Sequence, residues 1–313
     1  MKTLTAFLKL VRWQNLVFIA ITQILFLFCI EHPIFAQANI TLNLHQFYFA
    51  ILVVASVCIA AAGNIINDYF DLNIDHINKP NNVIVDKIIN RRVAIMLHIV
   101  LSLIGVVLGF IIDYYTRVRF LGIANFCCTF LLFFYSSSLK KKFLIGNVLI
   151  SLLTAWVILV ITYSETNHLL DVFKNNSSLQ VQKLSRITFL YAAFAFIISL
   201  IREVVKDMED IDGDRKYGCK TMPIVWGTNA TKVFVAVWLI VLIAALIIIQ
   251  FYVIQFRWWL SIGYCYLFII FPLIFVFIKL YKANNSKAFH DISSLIKFIM
   301  LTGILSMIFF KLF

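Results

Sequence analysis

The sequence predicts an all-α membrane protein, a bundle of nine transmembrane helices, and three observations carry that prediction. Hydrophobic residues make up 62% of the chain and the mean hydropathy is +0.95. Charged residues are 13%, about half the share found in soluble domains. The apolar runs, rich in Leu, Ile, Val and Phe, reach the roughly 20 residues a helix needs to cross the hydrocarbon core. Backbone groups in lipid find partners only inside a helix or a closed barrel, so long runs broken by only 4 Pro and 10 Gly read as helices.

The spans follow in order from their polar punctuation. The first, 13–31, is entered through Arg12-Trp13-Gln14-Asn15, and the second, 46–66, leads into an acid-rich stretch that ends at Lys79-Pro80. Spans 93–112 and 119–137 follow Arg92 and Arg117, and 143–163 follows Lys140-Lys141-Lys142. Span 187–205 runs from Arg186 into a second acid-rich stretch; 231–253, 258–280 and 292–311 are separated by Arg257 and by Lys282 and Lys287. Nineteen of the 27 Lys and Arg fall on one face if the N-terminus is cytosolic: three in 2–12, four in 79–92, three in 140–142, six in 202–232 and three in 279–287. That bias predicts N-terminus in and C-terminus out, in an inner (plasma) membrane, and accounts for most of the +12 net charge without nucleic acid as a partner.

No low-complexity linker interrupts the chain, so residues 1–313 read as a single polytopic domain. Ala36-Gln37-Ala38 resembles a signal-peptidase site, but the run before it is long enough to span and removing it would spoil the charge pattern. The six cysteines lie mostly within spans and lack metal-ligand spacing, so they read as small packing residues. The outer loop 164–186 is the longest on its face and has room for a short amphipathic segment.

Ten of the 15 acids crowd into two inner stretches. In the first, Asn67, Asp71 and Asp75 are spaced i, i+4, i+8 and share one face if span two continues as a helix. Carboxylates one turn apart repel each other unless a cation joins them, and hard oxygen ligands of this kind suit Mg²⁺, which bridges one or two carboxylates to substrate phosphates. Asp68 stands behind them as support, and Lys79-Pro80 ends the helix because the residue before proline avoids helical geometry. In the second stretch Arg202, Lys206, Asp210 and Asp214 repeat the spacing, so acids for a second Mg²⁺ share a face with bases for diphosphate oxygens. A charged run at a helix end is ordinarily a solvated cap; two carboxylate ladders on the same membrane face are not what caps require. Asp-Ile-Asp-Gly-Asp at 210–214 lacks the spacing of a calcium loop, and no Walker-type loop is present.

These residues resemble the UbiA-type intramembrane prenyltransferases. Asn67, Asp68, Asp71 and Asp75, continuing into Asn78-Lys79-Pro80, match that family's first motif; Asp210 and Asp214, with Lys206 and Gly218, Lys220 and Thr221, match its second. Arg12, Asn15, Tyr135-Ser136 and Leu139-Lys140 are weaker matches. The resemblance implies nine helices around a central cavity capped by the two cytosolic motif loops, with a lateral opening for a prenyl tail. It also implies Mg²⁺-dependent transfer of a prenyl group from an isoprenoid diphosphate to a lipophilic acceptor. Asn67, Asp71, Asp75, Asp210 and Asp214 carry over as catalytic metal and diphosphate ligands, and Arg12, Asn15, Lys87, Lys206 and Lys220 as diphosphate-binding residues.

One departure matters for the acceptor. Where many members carry a loop arginine after the first motif, this chain has Asn82, with Lys87 and Arg91 as the candidate replacements. The Asn-Lys-Pro continuation looks more like the branch that prenylates geranylgeranylglyceryl phosphate than the quinone and haem branches, with an aromatic quinone precursor as the second choice. A secondary transporter is the rival from another class; its acids belong at mid-membrane on broken helices, whereas these sit at helix ends.

Overall fold

Four prolines punctuate this sequence, and each marks a feature of the helices they interrupt. The computed structural model describes residues 2–37, 41–78, 80, 83–116, 118–166 and 178–312. The helices are α1 (Lys2–Leu10), α2 (Trp13–Gln37), α3 (Gln46–Asn78), α4 (Arg91–Tyr115), α5 (Leu121–Ser137), α6 (Ile145–Thr166), α7 (Ser178–Glu209), α8 (Ile211–Lys216), α9 (Met222–Val225), α10 (Thr228–Ile254), α11 (Trp259–Lys282) and α12 (Ser286–Leu312). Among the described residues eight of these are long and apolar enough to cross a membrane, and α5, with 17 residues, is a shorter apolar ninth.

Pro33 and Pro272 lie inside α2 and α11, and each is preceded by a π-helical turn, Leu27–Glu31 and Tyr266–Ile270. Proline has no N–H to give the carbonyl four residues back and its ring crowds that carbonyl, so the helix widens rather than breaks. The carbonyl that Pro272 leaves without its helical donor is that of Phe268, and the Thr302 hydroxyl of α12 donates to it at 2.9 Å. Pro80 comes two residues after Asn78, the last residue of α3, and Pro223 occupies the first turn of α9. Asn90 and Asn285 cap α4 and α12, their side chains accepting the backbone N–H of Arg92 and Ala288.

The chain divides into two compact units, residues 1–139 with 156–190, and residues 140–155 with 191–313. In the first, α3, α4 and α5 pack on one another and α2 packs on α3. Glycines set the α4–α5 crossing. A Cβ added at Gly109 would stand 2.9 Å from the Gly122 Cα and 2.7 Å from Asn125 Nδ2, while the same Asn125 amide donates to the Gly105 carbonyl at 2.9 Å. Small residues and cross-helix amide bonds are how helices associate where lipid offers no hydrophobic drive. Gly109→Val is therefore expected to lower stability by about 1–3 kcal/mol through overpacking, read as a lower melting temperature in detergent.

In the second unit Ile201, Val204 and Val205 of α7 share a buried core with Val235 and Leu239 of α10, Leu273 and Val276 of α11, and Ile292 and Ile296 of α12. The predicted span boundaries hold to a few residues except at the two acid-rich ends and at three others, where α2 runs on to Gln37 and α7 and α12 begin earlier than expected, at Ser178 and Ser286. At the acid-rich ends α3 runs on to Asn78 and α7 to Glu209, so both stretches are helix rather than loop. Of the predicted outer loop, α6 ends at Thr166 and α7 has begun by Ser178; residues 167–177 lie outside the described residues. All six cysteines are free thiols.

Candidate functional site

The first acid set is built on the last three turns of α3. Because the helix continues through residue 78, Asn67, Asp71 and Asp75 keep their one-turn spacing, and the Asn67 amide donates to Asp71 Oδ2 at 2.8 Å. One turn nearer the middle of α3, Asn64 donates to the Val11 carbonyl at 2.9 Å, fastening the α1–α2 corner against α3. That corner turns at Arg12, whose φ of 53° and ψ of 54° place a non-glycine residue in the left-handed region, an unfavourable conformation that surrounding contacts must hold. Besides the Asn64 bond, an ion pair holds it: Arg12 Nη2 donates to Asp68 Oδ1 at 2.7 Å. The carboxylate of Asp68 first, and those of Asp71 and Asp75 after it, hold the Arg12 guanidinium above its usual range.

The segment after the motif folds back onto the same corner. Val83, Val85 and Ile89 are buried with Leu10 and Val11 of the corner and Ala61, Ile65 and Leu72 of α3. Asp86 takes a positive φ of 71° at the tip. The two candidates for the missing loop arginine are both engaged on this segment, Lys87 Nζ donating to the Pro80 carbonyl at 2.8 Å and Arg91 pairing with Asp86 at 3.2 Å. Asn82 itself lies outside the described residues.

The second acid set sits where α7 gives way to α8. The helix stops at Glu209, Asp210 adopts φ −98° and ψ 12°, and α8 begins at Ile211, so the face expected to run unbroken from Arg202 to Asp214 is bent at Asp210. The one-turn hydrogen bonds persist on both sides of the bend, from Asp210 N to the Lys206 carbonyl at 2.9 Å and from Asp214 N to the Asp210 carbonyl at 3.2 Å, which keeps Lys206, Asp210 and Asp214 in register. Gly218, with φ 68°, turns the chain after α8 where an L side chain would be strained. The Lys220 N–H then donates to the Lys141 carbonyl at 2.7 Å, bringing the Lys140-Lys141-Lys142 segment beside Lys220.

Several partners here carried no signal in the sequence. Asn147 of α6 donates to Asp207 Oδ2 at 2.8 Å, and Asp207 has Glu203, Lys206 and Asp214 as charged neighbours. Glu203 accepts from Arg202 Nη1 at 3.1 Å and from Lys206 Nζ at 3.4 Å, so Lys206, expected to contact diphosphate directly, leans back along the helix. His290 Nδ1 meets Glu209 Oε1 at 3.0 Å and Ser286 donates to the Glu209 carbonyl at 2.9 Å, so the first turns of α12 clasp the end of α7. Asn15 stands half-buried on the first turn of α2. Away from both motifs two further acids are fully buried: Glu31 accepts from the Thr162 hydroxyl at 2.6 Å, and Glu165 accepts the Asn43 N–H at 2.6 Å ahead of α3.

Among the described residues no three His, Cys, Asp or Glu side chains converge closely enough to hold a metal ion by themselves. The donor set nonetheless fits Mg²⁺, which keeps several waters and takes one or two carboxylates plus the oxygens of a substrate phosphate. Asp71 with Asp75, or Asp210 with Asp214, supplies such a pair of hard oxygen donors, while Arg12 supplies positive charge beside the first.

Residues 13–299 match the UbiA prenyltransferase family model. A digeranylgeranylglyceryl phosphate synthase of Methanosphaera stadtmanae is 33% identical over 260 residues, covering 82% of this chain and 86% of its own. A solved structure concerned with digeranylgeranylglyceryl phosphate synthase in membranes superposes with a TM-score of 0.58 at 23% identity over 98% of this chain and 99% of that one. A UbiA homologue from Archaeoglobus fulgidus, bound to DMAPP and Mg²⁺, gives a TM-score of 0.57 at 16% identity over 96% and 98%. A helical membrane architecture with an acid-and-amide ladder ending one helix and an acid pair at the bend of another thus coincides with a family match over nearly the whole chain: the protein is an integral, multi-pass member of the UbiA prenyltransferase family.

Proposed function

We propose that this prenyltransferase moves the prenyl group of an isoprenoid diphosphate onto the hydroxyl of a glyceryl ether lipid that bears a phosphate, with both acid sets at the cytosolic face of the plasma membrane. The observation that carries the reading is the ladder on α3, where Asn67 orients Asp71 at 2.8 Å and Arg12 engages Asp68 at 2.7 Å. The acceptor class is supported by the synthase named above, which matches over most of both chains. Orientation is supported by the asymmetry of Lys and Arg between inner and outer segments.

Bond changes balance simply. The allylic C–O bond breaks with its electron pair leaving on the diphosphate, the acceptor oxygen forms the new C–O bond to that carbon, and the acceptor loses its hydroxyl proton. When bound, Mg²⁺ neutralises charge on the departing diphosphate. Asn67, Asp71 and Asp75 on one helix, and Asp210 and Asp214 on another, would each supply oxygen donors for metal and diphosphate, and Arg12 would add a cation beside the first set where charge develops.

The test is transfer of label from geranylgeranyl diphosphate, with Mg²⁺, to geranylgeranylglyceryl phosphate, dihydroxynaphthoate and hydroxybenzoate in turn. Product with the first acceptor is expected. Product with the aromatic acceptors alone, or with none, overturns the acceptor assignment. An epitope at the N-terminus that is reached by antibody in intact cells would overturn the orientation.

A further inference from the structure

Arg202 is a guanidinium within a membrane-spanning helix, with a side chain that is 19% exposed. Its Nη1 donates to Glu203 Oε1 at 3.1 Å, whereas its Nε is buried and finds no acceptor among protein groups. Its neighbours Ile201 and Val204 are core residues at 1% and 0% exposure. A charged donor is costly to bury unmet, and ionisable residues inside a span characteristically serve a pathway or a ligand. The edge of a guanidinium that includes Nε presents two parallel N–H groups whose spacing matches two oxygens of a phosphate or carboxylate.

The position along α7 separates this donor from the acid set. Arg202 precedes Asp210 by eight residues, about 12 Å of helix rise, and helix side chains lean toward the N-terminus, here away from the acids. The lean is visible one turn on, where Lys206 Nζ reaches back to Glu203 at 3.4 Å. An anion at Arg202 is therefore a second anion, distinct from the diphosphate expected at Asp210 and Asp214.

We propose that Arg202, positioned by Glu203, binds the anionic headgroup of the acceptor as a phosphomonoester, and so acts as the residue that selects a phosphate-bearing lipid. The proposal rests on the prenyl-transfer reading for what the second anion is. It assigns Arg202 to the acceptor and not to the prenyl donor.

The experiment uses the full chain in detergent, as wild type, Arg202→Gln and Arg202→Lys. Thermal protection is measured with geranylgeranylglyceryl phosphate, with Mg²⁺ plus non-ionising geranylgeranyl thiolodiphosphate, and with hydroxybenzoate; steady-state constants are measured for both substrates. Arg202→Gln is expected to abolish protection by geranylgeranylglyceryl phosphate and keep protection by the thiolodiphosphate. KM for the acceptor should rise roughly tenfold or more, the scale of a lost charge-assisted hydrogen bond, with KM for the prenyl diphosphate unchanged. Arg202→Lys, which keeps the charge and loses the fork, should fall between, and it carries the test if the Gln variant does not fold. Acceptor protection unchanged by either variant overturns the proposal, as does loss of protection by both lipid ligands together, or Arg202-dependent protection by hydroxybenzoate alone. Protection needs no turnover, so a wild-type protein that binds the acceptor through Arg202 but transfers nothing sinks the transfer reading and not this one.

Discussion

Asp71→Ala and Asp210→Ala are each expected to lower prenyl transfer by about 10²- to 10³-fold or more, the scale of removing one preorganised charge-stabilising group, while the protein still inserts and folds. Both residues are half-buried at helix ends rather than in a core, so truncation opens no cavity. Asp71→Ala also strips the Asn67 amide of its 2.8 Å acceptor, and Asp71→Asn should retain the geometry while losing the charge. The checks are label transfer at saturating substrate, the Mg²⁺ concentration for half-maximal rate, and the elution profile in detergent. Asn73→Ala is the control, because Asn73 is exposed on the same stretch and should leave the rate unchanged. Full activity in both Asp variants would falsify the two-set reading.

Arg12→Gln is expected to raise KM for the prenyl diphosphate by roughly tenfold, below the full value of a buried charge-assisted bond because the side chain is 38% exposed. The physical cause is the loss of a cation paired within this acid set: Asp68 loses its 2.7 Å partner, and Asp71 and Asp75 lose a positive neighbour. Arg12→Lys should recover part of the loss. The double variant Arg12→Gln with Asp68→Asn separates two roles, since an ion pair that only fastens the α1–α2 corner predicts recovery of KM once both charges are gone. A KM that stays high in the double variant, with an unchanged melting temperature, assigns Arg12 to the ligand.

The polar chemistry of the first set was legible because helix periodicity needs no tertiary information. Once α3 is a helix through Asn78, the spacing of Asn67, Asp71 and Asp75 dictates a common face, and Pro80 dictates where it stops. The same periodicity brings the second set onto one side of its helix, with one departure. Periodicity alone runs a straight face from Arg202 to Asp214, whereas the chain bends at Asp210, and the clasp from Ser286 and His290 that meets the bend comes from a helix far along the sequence.

The composition and spacing of this sequence by themselves determined a membrane-spanning helical chain, its nine apolar segments, and two acid sets whose oxygen donors suit a divalent cation. Those follow from local quantities: hydropathy over one span, the period of a helix, and the basic residues that flank each crossing. Only the tertiary structure decided which charges meet. Arg12 with Asp68, Asn147 with Asp207, and Arg202 and Lys206 on one Glu203 are set by how helices stack and lean, and a polar residue's spacing in sequence says nothing of its partner across a helix interface. The same holds for Gly109 against Gly122 and for Thr302 on the Phe268 carbonyl, contacts that exist because lipid leaves close packing and internal hydrogen bonds as the forces that join one helix to the next.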